Sequence, residues 1–192
     1  MRALVFSLLL LLVGCTTHYQ SQDQTVEIAD GVQLQLLSSI PFDNGMTLTQ
    51  SATAEYNDEH HDLIFQTEIL SDKLTMVGLT PTGTRLFTIV MKDGMIDATG
   101  LSAMVDSIKP EYLLADLQLS LWPKRQLLQH LNNADLLEPN PLKREIVNDG
   151  IPIITIDYSQ PTKYQGTIRF NHLERGYSLV IAPLAIEMNA ND

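Results

Sequence analysis

Apolar and polar positions alternate through most of this chain in short runs cut by turn residues, the pattern of half-buried strands. Met46 to Tyr56 is the clearest case, with Leu48, Ala52, Ala54 and Tyr56 on one face and Thr49, Ser51, Thr53 and Glu55 on the other. Val32 to Leu37, Leu63 to Leu70, Leu74 to Leu79, Leu86 to Met91 and Met95 to Ala98 extend the series. The turns between them are Asn57 to Asp62, Ser71-Asp72-Lys73, Pro81-Thr82-Gly83 and Lys92-Asp93-Gly94. Asp-Gly between apolar runs is a strong hairpin signal, and neighbours joined this tightly must be antiparallel, because a parallel crossover needs a dozen residues or more.

The period then changes. Pro110-Glu111 suits a helix start, and Leu113, Leu117 and Leu121 recur at i, i+4 and i+8 beside Leu114. The alternation in Leu117-Gln118-Leu119-Ser120-Leu121 would also fit a strand, and Trp122-Pro123 ends the segment. Arg125 to Leu137 predicts a second helix before Pro139-Asn140-Pro141 breaks it. Strands resume at Lys143 to Val147, Ile151 to Tyr158, Lys163 to Phe170 and Tyr177 to Pro183, with Asn148-Asp149-Gly150 as another hairpin cue. Pro152 predicts an edge or a bulge.

About ten antiparallel strands with a helical insertion after the sixth are therefore expected. Phe87, Ile89 and Met91 oppose Leu86 and Val90, and Ile154 and Ile156 oppose Ile151 and Ile153, so several strands are apolar on both faces. A sheet with one wet face alternates more cleanly. The expected fold is mainly β with a helical insertion: an antiparallel open half-barrel with a helical plug, its concavity covered or lining an apolar cavity. Phe87, Ile89, Leu114, Leu117, Leu121, Trp122, Ile154, Ile156 and Tyr177 are the candidate cavity-lining residues. Trp122 reads equally as the anchor that docks the helix on the sheet.

The amino terminus carries a different signal. Arg2, the apolar run Ala3 to Val13 and the small residue before Cys15 have the layout of a secretory signal peptide, and the run is too short to span a bilayer. Leu12-Val13-Gly14-Cys15 resembles the bacterial lipobox. The resemblance implies diacylation of the Cys15 thiol, cleavage after Gly14 and acylation of the new amine. Thr16, where inner-membrane lipoproteins often carry aspartate, implies the outer membrane, facing the periplasm. The expected organisation is a signal peptide over 1–14, an acylated end and flexible tether over 15–25, one domain over 26–188 and a frayed tail over 189–192.

Charge narrows the partners. The formal net charge is −11, losing Arg2 makes it more negative, and no Lys/Arg cluster exceeds a pair, so nucleic acid is a poor partner. Cys15 is the only cysteine, which excludes an internal disulfide. No Gly-x-Ser-x-Gly elbow, phosphate-binding glycine loop or His-Glu-x-x-His helix is present, so no catalytic residue, cofactor or metal is assigned. Asp58-Glu59-His60-His61-Asp62 could hold a metal, but adjacent residues on a turn define no ligand geometry and read more simply as a solvated turn. His130 and His172 read as surface or capping residues, and the scattered methionines as core filling.

Val77 to Phe87 (VGLTPTGTRLF), Pro110 to Leu119 running into Trp122-Pro123, and Gly176-Tyr177, with the lipobox, resemble a bacterial outer-membrane lipoprotein domain family. Its members often lie beside genes for fatty-acid-like or aryl-polyene synthesis. The architecture also looks like the LolA/LolB-type lipoprotein carriers, which implies an apolar concavity that takes acyl chains beneath helices. These resemblances imply a non-enzymatic, outer-membrane-anchored protein that binds or transfers a hydrophobic cargo, an acyl or polyene lipid or a lipoprotein. A scaffolding lipoprotein holding another envelope protein is the alternative reading, and an acyl-ester hydrolase a third.

Overall fold

Fourteen strands form the chain's framework among the described residues, 16–38, 41–42, 44–101 and 109–188 of a computed structural model. In order they are β1 (Thr16–Ser21), β2 (Thr25–Ala29), β3 (Val32–Gln35), β4 (Met46–Tyr56), β5 (Glu59–Ile69), β6 (Lys73–Leu79), β7 (Arg85–Lys92) and β8 (Met95–Leu101). Helices α1 (Pro110–Leu121) and α2 (Lys124–Leu127) follow. The chain returns to strand as β9 (Leu131–Asn132), β10 (Asp135–Asn140), β11 (Lys143–Asn148), β12 (Ile151–Tyr158), β13 (Ile168–His172) and β14 (Tyr177–Met188).

Eleven strands make one antiparallel sheet in the order β1-β8-β7-β6-β5-β4-β14-β13-β12-β11-β10. The two end strands, β1 and β10, do not pair with each other, so the sheet is open. The second sheet, β2-β3-β9, buries Val26, Ile28, Val32 and Leu34 on one face and exposes Thr25, Glu27, Gln33 and Gln35 on the other. It shares one apolar core with α1 and with the buried face of the large sheet, where Leu48, Ile69, Leu74, Ile89, Ile96, Ile154, Ile156 and Phe170 lie. The expected architecture holds: a mainly antiparallel open half-barrel, its inner face covered by a helix and a small sheet.

Turn chemistry explains the meander. Asp93-Gly94 and Asp149-Gly150 take positive φ at both residues (50° and 76°, 48° and 81°), as a two-residue hairpin turn with matching twist requires. Asn57-Asp58 does the same at 50° and 63°, so the turn predicted over Asn57 to Asp62 is only two residues long and β5 begins at Glu59. Pro152 sits at a bulge. Ile146 pairs with Ile154 and Val147 with Pro152, which leaves Ile153 as the extra residue. That extra residue explains why the neighbours Ile153 and Ile154 are both buried.

Three expectations are corrected. Thr16 to Ser21 is not tether but edge strand β1, paired residue by residue with β8 from Thr16↔Leu101 to Ser21↔Ile96. Its side chains add support, since His18 Nε2 and Gln20 Nε2 both reach Asp97 Oδ2, at 2.9 and 3.0 Å. The second helix is only Lys124–Leu127. Asn133 turns left-handed (φ 61°) and releases the chain, so that Leu136 enters the core from β10 opposite Ile146. The strand predicted from Lys163 begins only at Ile168, after a single 3-10 turn. The lipobox, Cys15 and the tail over 189–192 lie outside the described residues.

Candidate hydrophobic site

The concavity is organised by α1. Pro110 occupies its first turn with Glu111 beside it, and Pro123 prevents its continuation past Trp122. The face bearing Leu114, Ala115, Gln118 and Leu119 is buried, whereas Tyr112, Leu113, Asp116 and Leu117 keep partial exposure.

Polar bonds hold the helix along its length. Tyr19 of β1 donates to Glu111 Oε1. The buried Gln118 amide donates to Leu37 O and accepts from Leu37 N, both at 2.9 Å, closing a two-point clamp on the backbone. At the far end, helix carbonyls lack intrahelical partners and carry the negative end of the dipole. Arg144 of β11, fully buried, donates there to Leu119 O and, at 2.8 Å, to Trp122 O, while the Tyr158 hydroxyl donates to Ser120 O at 2.9 Å. Glu138 balances the buried charge, accepting from Arg144 Nη2 at 2.7 Å and from Lys163 Nζ at 2.9 Å. Burial would raise the Glu138 pKa, but Lys163 and Arg144 outweigh it and hold the carboxyl below its ordinary range. Trp122, sealed from solvent, packs edge-on to Phe42 at 5.9 Å.

Among the described residues, a small cavity lies beside the carboxyl end of α1. The cavity between Leu37, Leu74, Met91 and Trp122 measures about 10 Å³, room for one water molecule. The helix packs on the inner face with Leu114 and Leu119, where Ile89, Ile154 and Ile156 of the large sheet are also sealed from solvent.

The inner face of the sheet nevertheless continues past the plug. Leu63 and Ile181 stand opposite the buried Ala52, and Leu179 opposite Ala54, while Phe65 stands opposite Gln50. These residues therefore share the inward face of β4, yet Leu63, Phe65, Leu179 and Ile181 are only half-buried. Tyr177, on the same face of β14, donates from its hydroxyl to Asp116 Oδ2 at 2.7 Å, which brings the half-exposed face of α1 against this end. The result is an apolar strip along the inner faces of β5 and β14, tied to α1 through Asp116, whose helix neighbours Leu113 and Leu117 are also half-buried. Desolvation pushes the Asp116 carboxyl up to about 7, against the opposing pull of the Tyr177 hydrogen bond and the Arg175 charge. Arg175 itself lies over the Tyr112 ring at 3.9 Å and donates to Glu27 O.

The predicted lining residues divide by burial. Phe87, Ile89, Leu114, Leu121, Trp122, Ile154 and Ile156 are sealed in the core. Only Leu117 and Tyr177 stay half-buried, and of these Tyr177 stands on the inner face of β14 with Leu179 and Ile181. Leu63, Phe65, Leu179, Ile181, Leu113 and Asp116 were absent from the sequence-derived set. The alternation of Leu63 with Phe65, and of Tyr177, Leu179 and Ile181, was the available signal. Phe87 owes its position to glycine: its ring lies where a Gly78 side chain would be, 2.3 Å from an ideal Cβ, and meets Phe65 at a centroid distance of 6.2 Å. His172 is not on the surface. It is 2 % exposed, with Nε2 2.7 Å from Ile28 O and Nδ1 accepting from Arg175 N, so it caps the β13–β14 turn, and burial holds its pKa down. Met46, Met76 and Met91 fill core, but Met95 is exposed. Asp58 to Asp62 stays on the surface, and among the described residues no group of three or more His, Cys, Asp or Glu side chains could hold a metal ion.

An open antiparallel half-barrel, plugged by a latched helix and edged by an apolar strip, is the class of protein that these features define. The chain belongs to the family described as Protein of unknown function (DUF3261), whose model matches residues 47–185. No curated protein matches it in sequence. Among solved structures, it is similar to a LolA superfamily protein from Nitrosomonas europaea at 11 % identity and a TM-score of 0.46, over 81 % of this chain and 90 % of that one. It is also similar to a domain from Vibrio parahaemolyticus described as an outer membrane lipoprotein-sorting protein, at 11 % identity and a TM-score of 0.42, over 78 % and 87 % of the two chains.

Proposed function

We propose that this protein is an outer-membrane-anchored periplasmic lipoprotein, acylated at Cys15, that binds or transfers a hydrophobic cargo without catalysing a reaction on it. The cargo class is an acyl or polyene lipid, free or carried on a lipoprotein. The observation that carries the reading is the half-buried apolar strip of Leu63, Phe65, Leu179 and Ile181, where inward-facing side chains extend beyond the plug. An acyl chain laid along it gains about 0.8 kcal/mol for each methylene removed from water, so a handful of methylenes gives useful affinity while α1 stays in place. Tyr177 stands on the same inner face, and it and Leu117 are the predicted lining residues that stay half-buried.

The sealing of Phe87, Leu114, Leu121, Ile154 and Ile156 in the core favours a second reading, a scaffolding lipoprotein that holds another envelope protein. Native mass spectrometry and lipid extraction of protein purified from envelopes separate the two. A lipid adduct that disappears in Leu179→Asp supports the cargo reading. A lipid-free protein with a stoichiometric protein partner overturns it.

A further inference from the structure

The start of β1 fixes how an anchored domain would stand on its membrane. Thr16 is already paired with Leu101, and the pairing continues without interruption to Ser21. Cys15 immediately precedes it, so an acylated Cys15 has its Cα about 3.8 Å from that of the first strand residue, with no spacer between lipid and fold. β1 begins at the end of the large sheet where β8 finishes. In this antiparallel meander that is also the end carrying the turns at Asn57-Asp58, Pro81 to Gly83, Asp149-Gly150 and Leu173 to Gly176.

Among the described residues, three large apolar side chains project from this end: Tyr56 at 53 % exposure, Leu173 at 54 % and Ile151 at 67 %. Exposure alone does not choose this end, because Met95, Leu142 and Met188 project from the opposite one. The position of Thr16 chooses it. We propose that the rim bearing Tyr56, Ile151 and Leu173 is a membrane-docking surface, which lies on the bilayer interface when Cys15 is acylated. This rests on the lipoprotein reading above.

The chemistry of the rim selects the bilayer it fits. Asp58, Glu59, Asp62, Asp149 and Glu174 outnumber the arginines at this end, Arg85 and Arg175, with His60 and His61 near them. An anionic surface repels such a rim, whereas the ammonium groups of phosphatidylethanolamine can pair with its carboxylates. A tyrosine at the headgroup level and aliphatic side chains just below it match the usual interfacial arrangement. Tyr177 and Leu179 near the start of β14 belong to this same end, and Leu63 and Phe65 lie at the middle of β5. The apolar strip therefore runs from the middle of the sheet towards the membrane end, which makes bilayer acyl chains its nearest source of cargo.

The test uses the full lipidated chain in phosphatidylethanolamine vesicles containing a phosphatidylcholine brominated on its acyl chains. Ile151→Trp and Leu173→Trp are compared with Leu142→Trp and Met95→Trp, and the buried Trp122 supplies a constant background. Rim tryptophans at interfacial depth lose roughly twofold of their added emission, and those at the opposite end lose none. Quenching at Leu142→Trp or Met95→Trp instead, or at none of the four, overturns the docking surface. Intact mass of the amino-terminal peptide reports separately whether Cys15 carries acyl chains. If it does not, the lipoprotein reading fails, and the unacylated chain is coupled through its only thiol to a maleimide-headgroup lipid in the same vesicles. The same four variants then uphold or overturn the rim on its own.

Discussion

Replacing Arg144 by methionine should unlatch the carboxyl end of α1. The guanidinium is fully buried and donates to two helix carbonyls, Leu119 O and Trp122 O, and to Glu138. Methionine keeps much of the volume, so the loss is chiefly polar. Each carbonyl left buried without a donor costs about 1 to 3 kcal/mol, and Glu138 keeps only Lys163. Removing one partner of a buried ion pair costs about 3 to 5 kcal/mol in total, which sets the expected loss for Arg144→Met. In a domain of this size that corresponds to a fall in Tm of roughly 6 to 20 °C. Urea titration followed by Trp122 fluorescence and by far-ultraviolet circular dichroism measures it. Arg144→Lys should fall between wild type and methionine, because one ammonium cannot serve both carbonyls and Glu138 with the same geometry. A loss below about 1 kcal/mol in Arg144→Met would refute the latch and make α1 a candidate moving lid.

Two further perturbations test the same frame. Asp116 has an ordinary pKa of 3.8 and a folded value of about 7, so the folded state holds its proton more tightly than the unfolded one. Its contribution is intact below about pH 4 and is lost as pH rises through 7, by up to about 4 kcal/mol. Asp116→Asn should flatten that decline in urea midpoints between pH 5 and pH 8, while an unchanged slope would contradict the assignment. Gly100→Ala places a Cβ 2.5 Å from Leu86 O and 2.9 Å from Phe87 Cα, both backbone atoms, so β7 and β8 must separate. The expected cost is about 1 to 3 kcal/mol in denaturant unfolding, and a neutral substitution would show that the pair can slide apart freely.

The sheet was legible because turn chemistry and alternation agree: Asp93-Gly94 and Asp149-Gly150 close hairpins, and Met46 to Tyr56 alternates along its length. Leu113, Leu117 and Leu121 marked α1 correctly despite the competing alternation at Leu117 to Leu121, since Pro110 and Pro123 bound a single helical segment. Local pattern misled where tertiary pairing decides. Thr16 to Ser21 has no apolar period and is ordered by the edge of β8, and Leu136 follows a helical spacing yet is drawn into β10 by Ile146. The candidate site was legible only as a face. Sequence marks which side chains point inward, but not how far α1 and the small sheet cover them, so Phe87, Ile154 and Ile156 became core while Leu179 and Ile181 stayed half-buried.

Apolar cargo in the strip beside a latched helix is what the proposed function requires. Native mass spectrometry of the protein from its own envelopes, with Leu179→Asp and Ile181→Asp in parallel, tests it most directly. One lipid-sized adduct is expected on the wild-type domain, beyond any covalent acylation of Cys15, and is lost in both variants while their folded spectra persist. A wild-type domain free of non-covalent lipid, or an adduct that both variants keep, would contradict it.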